Sequence, residues 1–386
     1  MTASATAFDL AAFTAASDPA VHAVDAEARR GLTLPQKSLA PWLFYDEAGS
    51  ELFEQITELP EYYLTRTERA LFTAHATQIF AELGLSAKNS NAEPTASTRN
   101  GFVAQGAHSA PYEDAVSDAR SATIPFTRPL TVLELGAGTA SKTGILLREL
   151  ARLQHNVLYQ PVDISPSALA AARVSLEGAI PQLTVRPHVA NYVTHRFPIV
   201  RPAAARVLAL YIGSSIGNFS PAEARDILIR LRAQLAPGDA LLLGVDLAPC
   251  LAGANPKQIS TLLDAYDDAA GITAAFNRNV LVRLNRDLGA NFDPDRFAHR
   301  ALWNPARSRM EMHLVSLEKQ TAILPRSATG PALPVHFAKG ESIHTENSYK
   351  FTPAALKALF AASRFTPKRS FTDLDNLFSV TLACVE

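Results

Sequence analysis

Residues 130–143 read LTVLELGAGTASKT, and this stretch restricts the possible folds more than any other. The run LTVLEL has the length and apolar character of a strand buried on both faces. Gly136 and Gly138 follow it directly, where a tight turn needs backbone conformations that side chains resist. A helical pattern then runs from about Ser141 to Leu153. A strand feeding a helix through a glycine turn opens a right-handed βαβ unit, so the chain is expected to build a parallel sheet covered by helices.

The alternation continues with NVLYQPVDI as a second strand and a helix opening at Ser165. RVLALYIG (Arg206 to Gly213) and DALLLGVDL (Asp239 to Leu247) are further strands, separated by a helix from Pro221 to Leu235. Beyond Leu247 the rhythm breaks: residues 255–288 read as helical, while Arg300 to Leu324 and Pro334 to Phe351 read as strands. The final FSVTLACV returns to a strand pattern that suits one more strand of the sheet. The expected division is a core of 65–248 completed by 350–386, with 20–64 plus 249–349 forming a second, substrate-binding unit.

Upstream, APWLFYDEAGSELFEQITELPEYYL crowds aromatic residues around Asp, Glu and Gly, with a helical period through Leu52, Phe53 and Ile56, and is expected to be a folded segment with exposed aromatics. A helix capped by Thr65 or Thr67 should follow, with Glu68 near its start and Leu71, Phe72, Ile79 and Phe80 on one side. Residues 86–127 shift to Ser, Ala, Asn, Thr, Gly and Pro without apolar period, and are expected to form a disordered insertion.

Hydrophobic residues make up 47% of the 386 and charged ones 19%, which suits a globular enzyme and excludes a disordered or fibrous chain. The formal net charge of −1, with no run of Lys and Arg, argues against a nucleic-acid partner and for a small molecule. Cys250 and Cys384 match neither a metal-ligand spacing nor a disulfide framework, so both are expected to be reduced thiols in a cytoplasmic protein. No signal peptide or membrane span is expected, and a monomer is. His188, His195 and His344 stand isolated from Cys, Asp and Glu at ligand spacing, so no metal is assigned.

The third glycine of a dinucleotide fingerprint is missing, since Ser141 stands three residues after Gly138; this disfavours a nicotinamide cofactor. Asp163 ends the second strand, where a carboxylate can bond ribose hydroxyls or cap the next helix. Glu134 inside the first strand, the glycine turn and Asp163 together resemble the S-adenosylmethionine-binding pattern of class I methyltransferases. Methyl transfer from a sulfonium needs an oriented, unprotonated nucleophile and exclusion of water more than a catalytic triad, and no Ser/His/Asp elbow is present.

The segments FYDEAGSELFEQITELPEYYLTRTE, LELGAGTASKT, YIGSSIGNFSP, AYDDAAGITAAFNRNVL, FDPDRFAHRALWNPARSRMEMHL and HTENSYKF closely resemble the histidine Nα-methyltransferases of ergothioneine biosynthesis. The resemblance implies an α/β fold, a Rossmann-like class I methyltransferase sheet with a second, smaller α+β substrate domain. It implies that Gly136, Gly138, Lys142 and Asp163 contact S-adenosylmethionine, with Asn191 facing the adenine in place of the family's usual acid, followed by Tyr192. For the amino acid it implies that Asn218 and Tyr266 hold the carboxylate and that Tyr45 lies near the amino group, as its candidate base beside solvent water. Tyr62 and Ser348 bond the imidazole, Gly213 lines the cleft, and Met312 and Glu346 form the imidazole side. The implied reaction is transfer of three methyl groups to the α-amine of L-histidine, giving hercynine. Two rivals stay open at this point: the same chemistry on another aromatic amino acid, and a non-catalytic S-adenosylmethionine-binding protein.

Overall fold

The structure is a computed structural model that describes residues 19–85, 128–193, 196–249 and 256–386. The insertion expected at 86–127, His195 and Cys250 lie outside the described residues. Helices α1 (Pro19–Leu32), α2 (Glu47–Glu58) and α3 (Tyr63–Glu82) precede β1 (Leu130–Leu135), which leads through the glycine turn into α4 (Thr143–Leu153). Then come β2 (Val157–Asp163), α5 (Pro166–Ala179), the short β3 (Leu183–Val185) and β4 (His188–Val189), β5 (Arg206–Tyr211), α6 (Pro221–Arg232) and β6 (Ala240–Asp246). The next part holds α7 (Ile259–Tyr266), α8 (Ile272–Leu288) and five strands, β7 (Phe297–Asn304), β8 (Arg309–Ser316), β9 (Gln320–Leu324), β10 (Leu333–Phe337) and β11 (Ser342–Tyr349). The chain closes with α9 (Pro353–Ser363), β12 (Thr366–Thr372) and β13 (Phe378–Cys384).

Local chemistry sets the helix starts. Ser165 caps α5 by accepting from the Ala168 amide with Pro166 behind it, and Ser220 forms a capping box with Glu223 at α6, again before a proline.

One sheet runs in the order β3-β2-β1-β5-β6-β13-β12, with β4 also pairing β2. β1, β2, β3, β5 and β6 are mutually parallel, and β13 runs antiparallel to both β6 and β12. Every residue of β1 and β6 is buried, as a strand covered on both faces requires. One face packs Val132, Leu146, Leu147, Tyr159, Leu208 and Leu242 against Phe72 and Phe80 of α3. The other packs Leu133, Leu135, Val207 and Leu241 against Ile227, Leu228, Leu359 and Phe360. Strand order reverses between β1 and β5, and the cleft outside their carboxyl ends is where open α/β sheets bind ligands.

Beside it lie a three-stranded antiparallel sheet, β11-β8-β7, and the pair β9-β10. Phe44, Phe53 and Phe276 stack and tilt against one another, tying the aromatic N-terminal segment to α8. No helix among the described residues is long and apolar enough to cross a membrane.

Three details differ from the sequence reading. Helix α3 begins at Tyr63 with Tyr62 as an N-cap that makes no side-chain bond, so neither Thr65 nor Thr67 caps it; both threonines lie within the helix, because burial of Tyr63 and Leu64 fixes its start. The aromatic segment before it is largely inside, with Phe44, Tyr62 and Tyr63 at 1%, 9% and 3% exposure. The last strand sits between β6 and β12, and β12 itself, TPKRSFT, is an exposed polar edge that carries no alternating apolar signal.

Candidate functional site

The glycine turn after β1 is held from three sides. Gly136 and Gly138 adopt φ of 67° and 52°. The Gly138 amide donates to Asp163 Oδ2 at 2.9 Å, while Oδ1 accepts from the Ser165 amide at 2.9 Å. Asp163 therefore braces the turn and holds the amide of Ser165, the residue that caps α5, and its carboxylate retains lone pairs for a further donor. Glu134, buried in β1, accepts from Thr143 Oγ1 at 2.7 Å and Tyr159 Oη at 2.5 Å, stitching strand to helix. Burial pushes its carboxyl up to about 7 against those two bonds. The Tyr192 ring lies over Gly136, where a Cβ would meet it at 3.5 Å, and packs edge-on against Tyr211. Asn191 turns back to accept from the Val193 amide at 2.9 Å.

Glu68, with no exposure at all, joins the N-terminal helix to this turn. Its carboxylate takes Lys142 Nζ at 2.5 Å and the Gly213 amide at 2.9 and 3.0 Å. Gly213, at φ 76°, lets the chain leave β5 beneath Lys142. Sequence reading placed Glu68 only near a helix start. Its signal is a carboxylate four residues after Leu64 and three before Leu71, on the apolar side of the helix, where an unpaired charge is costly.

The second half of the site is built on β8, β11 and the aromatic segment. Glu346 pairs with Met312 and Ser348 with Met310, and a bulge shifts the register between His344 and Glu346. Directly opposed residues share a face, so the bulge at Thr345 turns Glu346 and Ser348 to the side of the buried methionines; unbroken alternation from Ile343 would turn them away. Thr345 anchors the bulge by donating to Asn277 Oδ1 at 2.8 Å and Met312 O at 3.0 Å.

Tyr62 meets Tyr266 edge-on at 6.4 Å, and Tyr45 meets Phe53 and Phe276 at 5.7 and 5.9 Å. Tyr266 Oη donates to Ser348 Oγ at 2.8 Å. Asn218 ends the 3₁₀ turn Ser215–Asn218, which follows a left-handed Ser214 and presses on β11: a Cβ on Gly217 would lie 2.7 Å from Tyr349 O.

Two electrostatic facts join the halves. The Tyr45 phenol is raised well above the ordinary tyrosine value, first by burial and then by Glu346, Tyr62, Tyr192 and Asp163, so charges from the glycine turn and from β11 both act on it. Glu346 is pushed up to about 7 by burial, with only Lys350 opposing. Among the described residues, none hydrogen-bonds the hydroxyls of Tyr45 and Tyr62 or the carboxyl of Glu346. These three groups border one region, and each keeps its hydrogen-bonding capacity for a ligand.

On the other face of the same sheet, cross-strand pairing stacks His313 on His344 at 4.8 Å and brings Glu311 beside them, all ligand atoms lying within 4.8 Å. Sequence spacing hides this group, because the histidines are partners across a register. Arg309 and Asn304 already bond Glu311, at 2.6 and 2.8 Å, and an ion there would compete with both.

A sheet of this order, with a glycine turn closing its first strand and a carboxylate closing its second at the switch point, defines an S-adenosylmethionine-dependent methyltransferase. The chain belongs to the family described as histidine-specific methyltransferase, SAM-dependent, whose profile matches residues 24–385. It is 35% identical over 368 residues to the histidine N-alpha-methyltransferase of Mycolicibacterium smegmatis, covering 95% of this chain and 97% of that protein. The protein of the same name from Mycobacterium tuberculosis is 34% identical over 354 residues, 92% of each chain. Ergothioneine biosynthesis protein 1 of Neurospora crassa is 27% identical over 298 residues, 72% of this chain and 27% of that one.

Proposed function

We propose that this enzyme transfers three methyl groups in succession from S-adenosylmethionine to the α-amino nitrogen of L-histidine, giving hercynine for ergothioneine synthesis. The observation that carries the reading is the convergence of Tyr45, Tyr62 and Glu346, polar groups without partners among the described residues, beside the glycine turn.

The residues present fit the methyl donor. Gly138 has nothing within 4 Å of where a Cβ would stand, leaving the turn open to close approach, and Asp163 keeps acceptor capacity for ribose hydroxyls. Gly136, Gly138, Lys142, Asp163, Asn191 and Tyr192 would hold it. When bound, it supplies a methyl on a sulfonium whose thioether leaves readily.

The protein's task is then to orient the amine and keep it unprotonated. Asn218 offers the substrate carboxylate a neutral donor, so no lone charge is buried there, while Tyr266, whose proton goes to Ser348 Oγ, lines the same end of the pocket. Tyr45 holds its own proton firmly, so it orients the amine as a hydrogen-bond partner, and the amine's protons leave to water. Glu346 accepts the imidazole N–H, Ser348 and Tyr62 flank the ring, and Met312 packs on it. The α-helical N-terminal segment with α7, α8 and β7–β11 serves as the substrate domain. We further place the enzyme in the cytoplasm, which suits the free thiol of Cys384, and as a monomer.

Mass spectrometry after incubation with S-adenosylmethionine and an equimolar mixture of amino acids tests the reading. Three methyl groups on histidine alone are expected; modification of another amino acid, or of none, defeats it.

A further inference from the structure

Lys350 follows β11 directly and has 3% exposure. Its backbone is fixed on both sides, the amide donating to Ser308 O at 2.8 Å and the carbonyl accepting from Ser308 Oγ at 2.9 Å. The ammonium has three N–H donors, and each has a partner: Asp246 Oδ2 at 2.7 Å, Tyr266 Oη at 2.8 Å and Ser348 Oγ at 2.9 Å. Asp246 is fully buried and also takes Tyr63 Oη at 2.8 Å and Lys257 Nζ at 2.5 Å, so Lys350 cannot swing away without breaking a buried ion pair.

This arrangement dictates where hydroxyl protons point. An ammonium only donates, so Tyr266 Oη and Ser348 Oγ must each accept from Lys350. Tyr266 gives its own proton to Ser348. Ser348 Oγ then accepts twice, and all it retains is one O–H to offer elsewhere. Two residues earlier on the same face stands Glu346, an acceptor when ionised.

We propose that Lys350 is a positioning residue that fixes Ser348 as a donor, so that the pocket reads a side-chain ring carrying an acceptor nitrogen on one edge and an N–H, taken by Glu346, on another. The assignment rests on the histidine reading and deepens it: the neutral imidazole has that pair, an indole has the donor alone, and a phenyl or thienyl ring has neither. Lys350 acts through Ser348 and Tyr266 without touching substrate.

Lys350→Met tests it. Asp246 keeps Lys257 and Tyr63, so the buried carboxylate is not orphaned, and affinity for S-adenosylhomocysteine by calorimetry should stay within about twofold of wild type. The diagnostic quantity is the ratio of kcat/KM for L-histidine to that for 3-(2-thienyl)-L-alanine, a five-membered aromatic ring without nitrogen. Without the ammonium, Ser348 Oγ regains a free lone pair and can accept as well as donate, and the ratio should fall about tenfold, the worth of one well-placed hydrogen bond. Ser348→Ala should lower it by a similar factor, and the double variant no further. A Lys350→Met enzyme slower on both substrates but with its preference intact overturns the assignment, as does a Ser348→Ala enzyme that keeps the preference. A wild-type enzyme that leaves histidine unmodified overturns the substrate reading and this one together, whereas retained preference in the variants overturns Lys350's role alone.

Discussion

Lys142 Nζ stands 2.5 Å from Glu68 Oε2, and the same carboxylate accepts the Gly213 amide, so one buried acid ties α3 to the helix after β1 and to the loop after β5. Those two loops form the mouth of the ligand cleft. Their spacing therefore depends on a residue that is in neither.

Glu68→Gln should loosen that mouth. The amide can still accept from Gly213 but no longer neutralises Lys142, whose side chain is 19% exposed and can turn toward solvent. Calorimetry should show S-adenosylmethionine binding about tenfold weaker, with unfolding lowered by less than the roughly 3–5 kcal/mol typical of a fully orphaned buried charge. Unchanged donor affinity would separate Glu68 from the site.

Gly244→Ala approaches the same carboxylate by steric means. A Cβ there would lie 2.1 Å from Glu68 Oε1 and 3.2 Å from the Phe378 ring, at the centre of a fully buried strand. Overpacking of this kind costs about 1–3 kcal/mol. Thermal unfolding should register that loss, and donor affinity should fall as in Glu68→Gln; a variant as stable as wild type would mean that Glu68 has room to retreat.

What the sequence displays and what it hides divides along the range of the interactions. LTVLEL, RVLALY and DALLLGVDL are legible because burial on both faces makes the strand itself apolar. Gly136, Gly138 and Asp163 are legible because turn chemistry is local. β12 is hidden because its pairing with β13 is supplied by backbone bonds along a solvated edge. The inward aim of Glu346 is hidden because a bulge is a property of two strands, and the link from Asp246 to Lys350 because the partners meet only in the folded chain.

Thr345→Val examines the bulge directly. Valine keeps the β-branched shape but removes the bonds to Asn277 Oδ1 and Met312 O, leaving a buried amide oxygen with one partner fewer. Glu346 and Ser348 should lose their fixed direction together. Steady-state kinetics are expected to show KM for histidine raised about fivefold or more with donor affinity intact; equal losses in both would indicate general damage to the fold.

Glu346 sets a pH dependence whose sign follows from its raised carboxyl. Folded, it titrates at about 7; unfolded, at the ordinary glutamate value of 4.5. Between those values the native state holds the extra proton, so this contribution is fully present below about 4.5 and is lost as pH rises through about 7. Above that, the substrate-free enzyme carries a partly buried carboxylate at a cost of up to about 3 kcal/mol. Glu346→Gln removes that cost, and its thermal unfolding without substrate should exceed that of wild type at pH 8 while matching it near pH 5. The same substitution replaces a charged acceptor for the imidazole N–H by a neutral amide oxygen, so histidine should bind about tenfold more weakly. A variant gaining stability and losing substrate affinity marks Glu346 as a residue kept for binding at the expense of the free enzyme. If stability stays flat across that range, the carboxyl is hydrated and its raised titration plays no part in recognition.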